Sequence, residues 1–190
     1  FIPLDAEASA MPVACLTYRL KNQTSAKVRA TLAFTLNNPV CMTIPPTKED
    51  PDKSFNDFRQ GVNCRGIDFT NERFPAGDHR HGTVALTTDW PDVTAMPNWL
   101  RGGAWFDNLH HFLDMFSREG RFDEAPRYTD RGWRHPGSLG LCATLEPEER
   151  VELPILISWC FPTFLKYWGE GDQPDNEKPR WTNAYAKRYP

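Results

Sequence analysis

Four of the chain's five histidines fall in two close pairs, His79-x-His81 and His110-His111, with Asp78, Asp107 and Asp114 near them in sequence. Histidine is a common ligand, so the first chemistry to weigh is metal binding. Side chains of adjacent helical residues point about 100° apart, so His110 and His111 do not converge on one ion; a spacing of three or four would be needed. His79 and His81 would share a face on a strand, but no third ligand accompanies them. All four read as solvated loop or core-edge histidines, and neither a metal nor any other cofactor is expected.

Nucleophilic catalysis finds no Gly-x-Ser-x-Gly elbow, and no Cys or Ser stands in a signature that pairs it with a histidine. The carboxylate pair of a glycoside hydrolase is defined by its separation across a sugar rather than along the chain. The 25 acidic residues therefore single out none. Seven tryptophans, concentrated between Trp90 and Trp105 and again at Trp133, Trp159, Trp168 and Trp181, could offer flat apolar faces to the C–H surface of a sugar. Most read as core or interface residues. Trp159 lies on the inward face of an alternating strand, whereas Trp99, Trp168 and Trp181 stand beside turn-forming or charged neighbours and are the candidates for meeting a ligand.

The elements that would position these side chains are mostly strands. Residues 11–20 are poor in Gly and rich in branched or aromatic types, and from Lys27 to Leu36 the sequence alternates, with Val28, Ala30, Leu32, Phe34 and Leu36 on one face. That alternation is the pattern of a half-buried strand. The polar linker from Lys21 to Ala26 joins the two as a hairpin or a sheet-to-sheet connection; within it Asn22-Gln23-Thr24 fits a glycosylation sequon, relevant only in a secreted protein. From Asn37 to Asn63 prolines and charges thicken, and the segment reads as a loop. Arg65 to Thr70 and Thr83 to Thr88 read as strands, with Val84 and Leu86 inward. Phe106, Leu109, Phe112, Leu113 and Phe116 recur at helical spacing, predicting a helix from Trp105 to Arg118 capped at Gly120. Leu139 to Leu145 and Val151 to Trp159 read as a strand pair around Glu146-Pro147-Glu148-Glu149, with Val151, Leu153, Ile155, Ile157 and Trp159 inward. Pro154 points that second strand toward a sheet edge or a bulge. The expected fold is mainly β: one antiparallel β-sandwich domain over residues 1–190, with long loops and one inserted helix.

Composition narrows the partners. The 190 residues are 39% hydrophobic, enough for one core, and carry a net charge of −3 with no long run of either sign. Nucleic acid finds no electrostatic footprint. The longest apolar run, Leu153 to Phe161, falls well short of the roughly 20 residues of a membrane-spanning helix. Five scattered cysteines suit neither a disulfide framework nor a zinc site, read as mostly buried thiols, and favour a reducing, cytoplasmic location unless a signal peptide lies upstream. Phe1-Ile2-Pro3-Leu4-Asp5 reads as the interior of a longer polypeptide.

Several segments in order resemble the amino-terminal domain of family 116 glycoside hydrolases, of the bile-acid β-glucosidase or non-lysosomal glucosylceramidase type. They are residues 1–5 with 11–14, Gly66-Ile67-Asp68-Phe69-Thr70, His81-Gly82-Thr83-Val84-Ala85-Leu86, Trp105-Phe106-Asp107 with Phe116-Ser117 and Gly120-Arg121, residues 153–162, and residues 181–190. The resemblance implies a β-sandwich packed on an (α/α)6 barrel of the same protein, a barrel expected after Pro190. That barrel would carry both carboxylates of a retaining β-glycosidase acting on a β-glycoside or glycolipid. No residue of this chain then has a catalytic role. Trp105, Phe106, Phe116, Trp181 and Tyr185 are the expected docking residues, and without the barrel their apolar surface would drive self-association. Two alternatives stand beside a supporting domain: a free-standing carbohydrate-binding module, and a metal-dependent hydrolase built on the histidines.

Overall fold

The computed structural model describes residues 3–40, 54–99, 107–122, 136–166 and 177–188. Two antiparallel sheets face each other. The larger is built from β1 (Val13–Lys21), β3 (Ser54–Gln60), β4 (Arg65–Asn71), β5 (Thr83–Thr88) and β8 (Arg150–Cys160), in the order β1-β8-β5-β4-β3. The smaller contains β2 (Val28–Asn37), β6 (Val93–Met96) and β7 (Pro136–Leu145), in the order β2-β7-β6. Between them Ile67, Phe69, Leu86, Leu153 and Ile155 of one sheet meet Leu139, Leu141 and Leu145 of the other, all buried. Removing these apolar surfaces from water is the main drive for folding. The antiparallel β-sandwich is as the sequence predicts, and Ala30, Leu32, Phe34 and Leu36 pack on its core from β2.

Helix α2 (Asp107–Glu119) forms a third layer on the outside of the smaller sheet. Phe112, Met115 and Phe116 pack with Met96, Trp99, Phe122 and Ala33 there. Strand β7 is consequently covered on both faces along most of its length, and on the side toward α2 it carries the small residues Ser138, Gly140 and Cys142. Small residues let the helix layer approach; a Cβ at Gly140 would lie 2.7 Å from the Thr94 methyl. Gly120 ends the helix with φ of +65°, as its predicted cap position requires. The predicted helix start at Trp105 and Phe106 lies outside the described residues.

Several expectations are corrected. Residues 37–63 are not all loop, because β3 pairs with β4 along seven residues. Its inward positions Ser54 and Asn56 are polar but hydrogen-bonded, to Asn71 and to the Pro97 carbonyl, so hydrophobic alternation did not mark the strand. β7 and β8 are not partners; the turn between them crosses from one sheet to the other, as does the β1–β2 connection. Pro154 sits on an interior strand. Thr88 donates its hydroxyl to the Pro154 carbonyl at 2.6 Å, one residue past the last β5–β8 pair, Thr87↔Leu156. In a strand the N–H and C=O of one residue point the same way, so the missing proline N–H falls where the ladder has already ended. Of the four described cysteines only Cys142 is buried, while Cys15 and Cys64 are exposed, one on an edge strand and the other at a hairpin turn.

Short elements complete the chain: α1 (Ala6–Ser9), β9 (Thr163–Leu165), β10 (Arg180–Thr182) and α3 (Ala184–Arg188), with β9 and β10 paired antiparallel. No helix among the described residues is long and apolar enough to cross a membrane.

Candidate functional site

The histidines do not assemble. His110 and His111 are exposed on α2, while His79 and His81 are partly buried in the β4–β5 loop. Among the described residues no group of three metal-ligating side chains comes together. The loop is organised instead around Asp78, which accepts from the Arg80 backbone N–H at 2.8 Å and from its guanidinium at 3.0 Å through each carboxylate oxygen. Arg80 lies 3.8 Å over the Phe74 ring, and His81 Nδ1 is 3.0 Å from the Phe74 carbonyl. The hydrogen bond from Arg80 lowers the Asp78 pKa to about 2. Asp68 is shifted the other way: burial raises its pKa against the pull of Arg59, and Asp57 stands directly opposite on β3.

The tryptophan candidates separate sharply. Trp99 is 8% exposed, stacks on Phe112 at 4.4 Å, and donates its indole N–H to Ser138 Oγ at 2.8 Å. It is a core residue, with no ring face left for a sugar. Phe116 likewise stacks on Phe122 at 5.3 Å, inside the packing that seats α2 on the sheet. Trp181 is 43% exposed on β10, its ring resting on Phe164 of β9 at 4.8 Å. Trp168, Trp105 and Phe106 lie outside the described residues. Trp159, expected inward, is 36% exposed, because it falls beyond the core rows of Leu153 and Ile155 at the end of β8.

Trp159 and Trp181 mark one end of the sandwich, where β8 finishes and β1 begins. Pro12 accepts from the Trp159 N–H, and Met11 and Leu4 nearby in sequence are also exposed. The C-terminal segment is fastened here by Tyr185. Its hydroxyl donates to the Phe161 carbonyl at 2.7 Å and accepts from the Phe161 N–H at 3.0 Å. Asn183 Nδ2 adds a second bond to that carbonyl at 2.6 Å. The Phe161 ring lies against Gly82, where a Cβ would come within 2.2 Å of it. Arg188 of α3 is ion-paired with Glu7 of α1, and the two short helices enclose a cleft of about 580 Å³ lined by Ala6, Ala10, Ala184 and Tyr185.

Sequence reasoning named Trp181 and Tyr185 at this end but missed Phe161, Phe164 and Asn183. The signal for Asn183 was its place between a tryptophan and a helix of only five residues, a segment too short to hold itself. At this end an exposed tryptophan ring is carried on a clamped hairpin, and no group of three metal-ligating side chains comes together among the described residues.

Against known families, the model described as beta-glucosidase 2, glycosyl-hydrolase family 116 N-term, matches residues 1–190. No curated protein matches the chain.

Proposed function

This chain belongs to the N-terminal domain family of the family 116 glycosyl hydrolases, and we propose that it serves there as a non-catalytic supporting domain that packs on the catalytic domain and shapes its substrate cleft. Membership implies a parent glycosidase with a catalytic domain. On this reading that domain is an (α/α)6 barrel which supplies both carboxylates and acts on a β-glucoside, with a glycolipid as the finer expectation. The observation that carries the reading is the Trp181–Phe164 stack, 43% exposed at Trp181, held on a hairpin at the end of the sandwich where Met11 and Trp159 are also exposed. Exposed aromatic surface of this kind is characteristic of an interface. The free cysteines, two of them exposed, support a reducing cytoplasmic setting.

The test has two arms. The purified chain should hydrolyse no aryl β-glucoside, and turnover that survives further purification would overturn the reading. In the full-length parent, Trp181→Ala should expose the junction between the domains to limited proteolysis; an unchanged digestion pattern would remove the docking role. Saturable binding of glucosides by the isolated chain, lost in Trp181→Ala, would point to a carbohydrate-binding module instead.

A further inference from the structure

Phe161 is the first residue past β8, and its position creates a problem that the sheet cannot solve. The Trp159 N–H points toward β1 and meets the Pro12 carbonyl. Two residues on, the Phe161 N–H and C=O point the same way by strand periodicity. β1 begins only at Val13, so no strand remains opposite them. Partly buried backbone groups must still find partners. The Tyr185 hydroxyl meets both, as donor and as acceptor, a dual capacity that a phenol has and a phenyl ring lacks. Asn183 secures the same carbonyl through its side chain, while its own N–H donates to Pro162 at 2.8 Å.

We propose that Tyr185 and Asn183 are positioning residues, which stand in for the missing strand at Phe161 and so hold the β9–β10 hairpin in the orientation that presents Trp181. The proposal rests on the supporting-domain reading for its consequence, though not for its geometry. β10 leads through Asn183 directly into α3, and β9 leaves Phe161 through Pro162. Both arms of the hairpin are therefore tied to one backbone position. Three residue pairs hold the hairpin itself, Arg180↔Leu165, Trp181↔Phe164 and Thr182↔Thr163, with one further backbone bond from the Lys166 N–H to the Pro179 carbonyl at 3.0 Å. Two such short strands are marginal without support, so the clamp decides where the Trp181 ring stands.

The test compares Tyr185→Phe, Asn183→Ala and Trp181→Ala in the full-length parent by hydrogen exchange and steady-state kinetics. Tyr185→Phe should speed exchange at the Phe161 N–H and through residues 180–188 by about tenfold or more, with the β4, β5 and β7 amides unchanged. It should also raise KM for a β-glucoside several-fold while leaving kcat within about twofold. A general loss of folded protein would instead lower apparent kcat at constant KM. Wild-type exchange at Phe161 in Tyr185→Phe, or a KM raised by Trp181→Ala but not by Tyr185→Phe, overturns the proposal. If exchange rises as expected while no variant, Trp181→Ala included, moves KM, the clamp stands and the supporting-domain reading fails.

Discussion

The two ends of the sandwich solve the same problem, how to finish strands, with different chemistry. At one end Asn22 is 5% exposed and joins the β1–β2 and β7–β8 connections. Its amide donates to the carbonyls of Ala26, Leu145 and Glu146, and its Oδ1 accepts from the N–H and hydroxyl of Thr24. Its backbone exchanges bonds with Glu148 and Glu149 at 3.0 Å each. Ion pairs of Lys21 with Glu148 and Lys27 with Glu146 cover the outside. At the other end the strands are finished by Tyr185 and Asn183, yet Leu4, Met11, Trp159 and Trp181 stay exposed. The first end satisfies itself with local polar bonds. The second satisfies its backbone but leaves two tryptophans in solvent, whereas apolar exposure at the first includes Val62 in the β3–β4 turn; on the docking reading proposed above, the tryptophan-bearing end is the one that meets the partner. The bonds of the first end also dispose of the sequon at Asn22 in the folded chain, because every polar atom of that side chain is engaged.

The largest expected effect is at the closed corner. Asn22→Ala leaves the Leu145 and Glu146 carbonyls short of a donor and removes the tie between two turns, at a cost of about 3 kcal/mol. Urea denaturation should show the midpoint falling at unchanged slope; a loss under about 1 kcal/mol would break the comparison by making the corner incidental. Next comes Gly82→Ala at the other end, where the new methyl would drive into the Phe161 ring. Such overpacking costs about 1–3 kcal/mol, and thermal unfolding should register it together with faster exchange at Phe161.

Trp181→Ala should cost less, about 1 kcal/mol or below, because the ring is half in solvent and its main described contact is Phe164. Its effect should appear in association instead. The isolated chain is expected to self-associate through its apolar end, and sedimentation of Trp181→Ala should shift toward monomer. A wild-type chain that stays monomeric at high concentration would count against a missing partner at this end.

The smallest effect is electrostatic. Asp78 has its pKa lowered to about 2 in the folded state, from an ordinary carboxylate value of 3.8. Its contribution is therefore present above about pH 4 and is lost as pH falls toward 2. Because the pair is close to solvent, about 1 kcal/mol is the appropriate scale. Asp78→Asn should flatten the acid limb of stability against pH in that window. Asp68 has the opposite sign: its raised pKa means that ionisation opposes folding, so Asp68→Asn should stabilise the chain near neutral pH. A stability profile in which both substitutions act in one direction would refute the assignment.

Much of this fold was legible because periodicity is local. Val28 to Leu36, Val84 with Leu86, and Leu153 with Ile155 announce buried faces by alternation alone, and Phe112 with Phe116 announces a helix. β3 was not legible, since its inward Ser54 and Asn56 are polar and their partners Asn71 and Pro97 lie far along the chain. The end that carries Trp181 was half legible. Trp181 and Tyr185 stood out by type, but Trp99 stood out equally and is buried against Phe112.

What the sequence determined by itself was the type and inward face of the strands that alternate, the helix with its cap at Gly120, and the family. Which strands share a sheet, which tryptophans see solvent, and which backbone groups Tyr185 would meet were decided only by tertiary structure. The reason is one of range. Side-chain alternation and helical spacing act between residues two to four apart, whereas a turn such as Glu146 to Glu149 suits a hairpin or a crossing between sheets. The choice is made by a bond like that from Asn22 to Leu145, whose two residues are 123 positions apart.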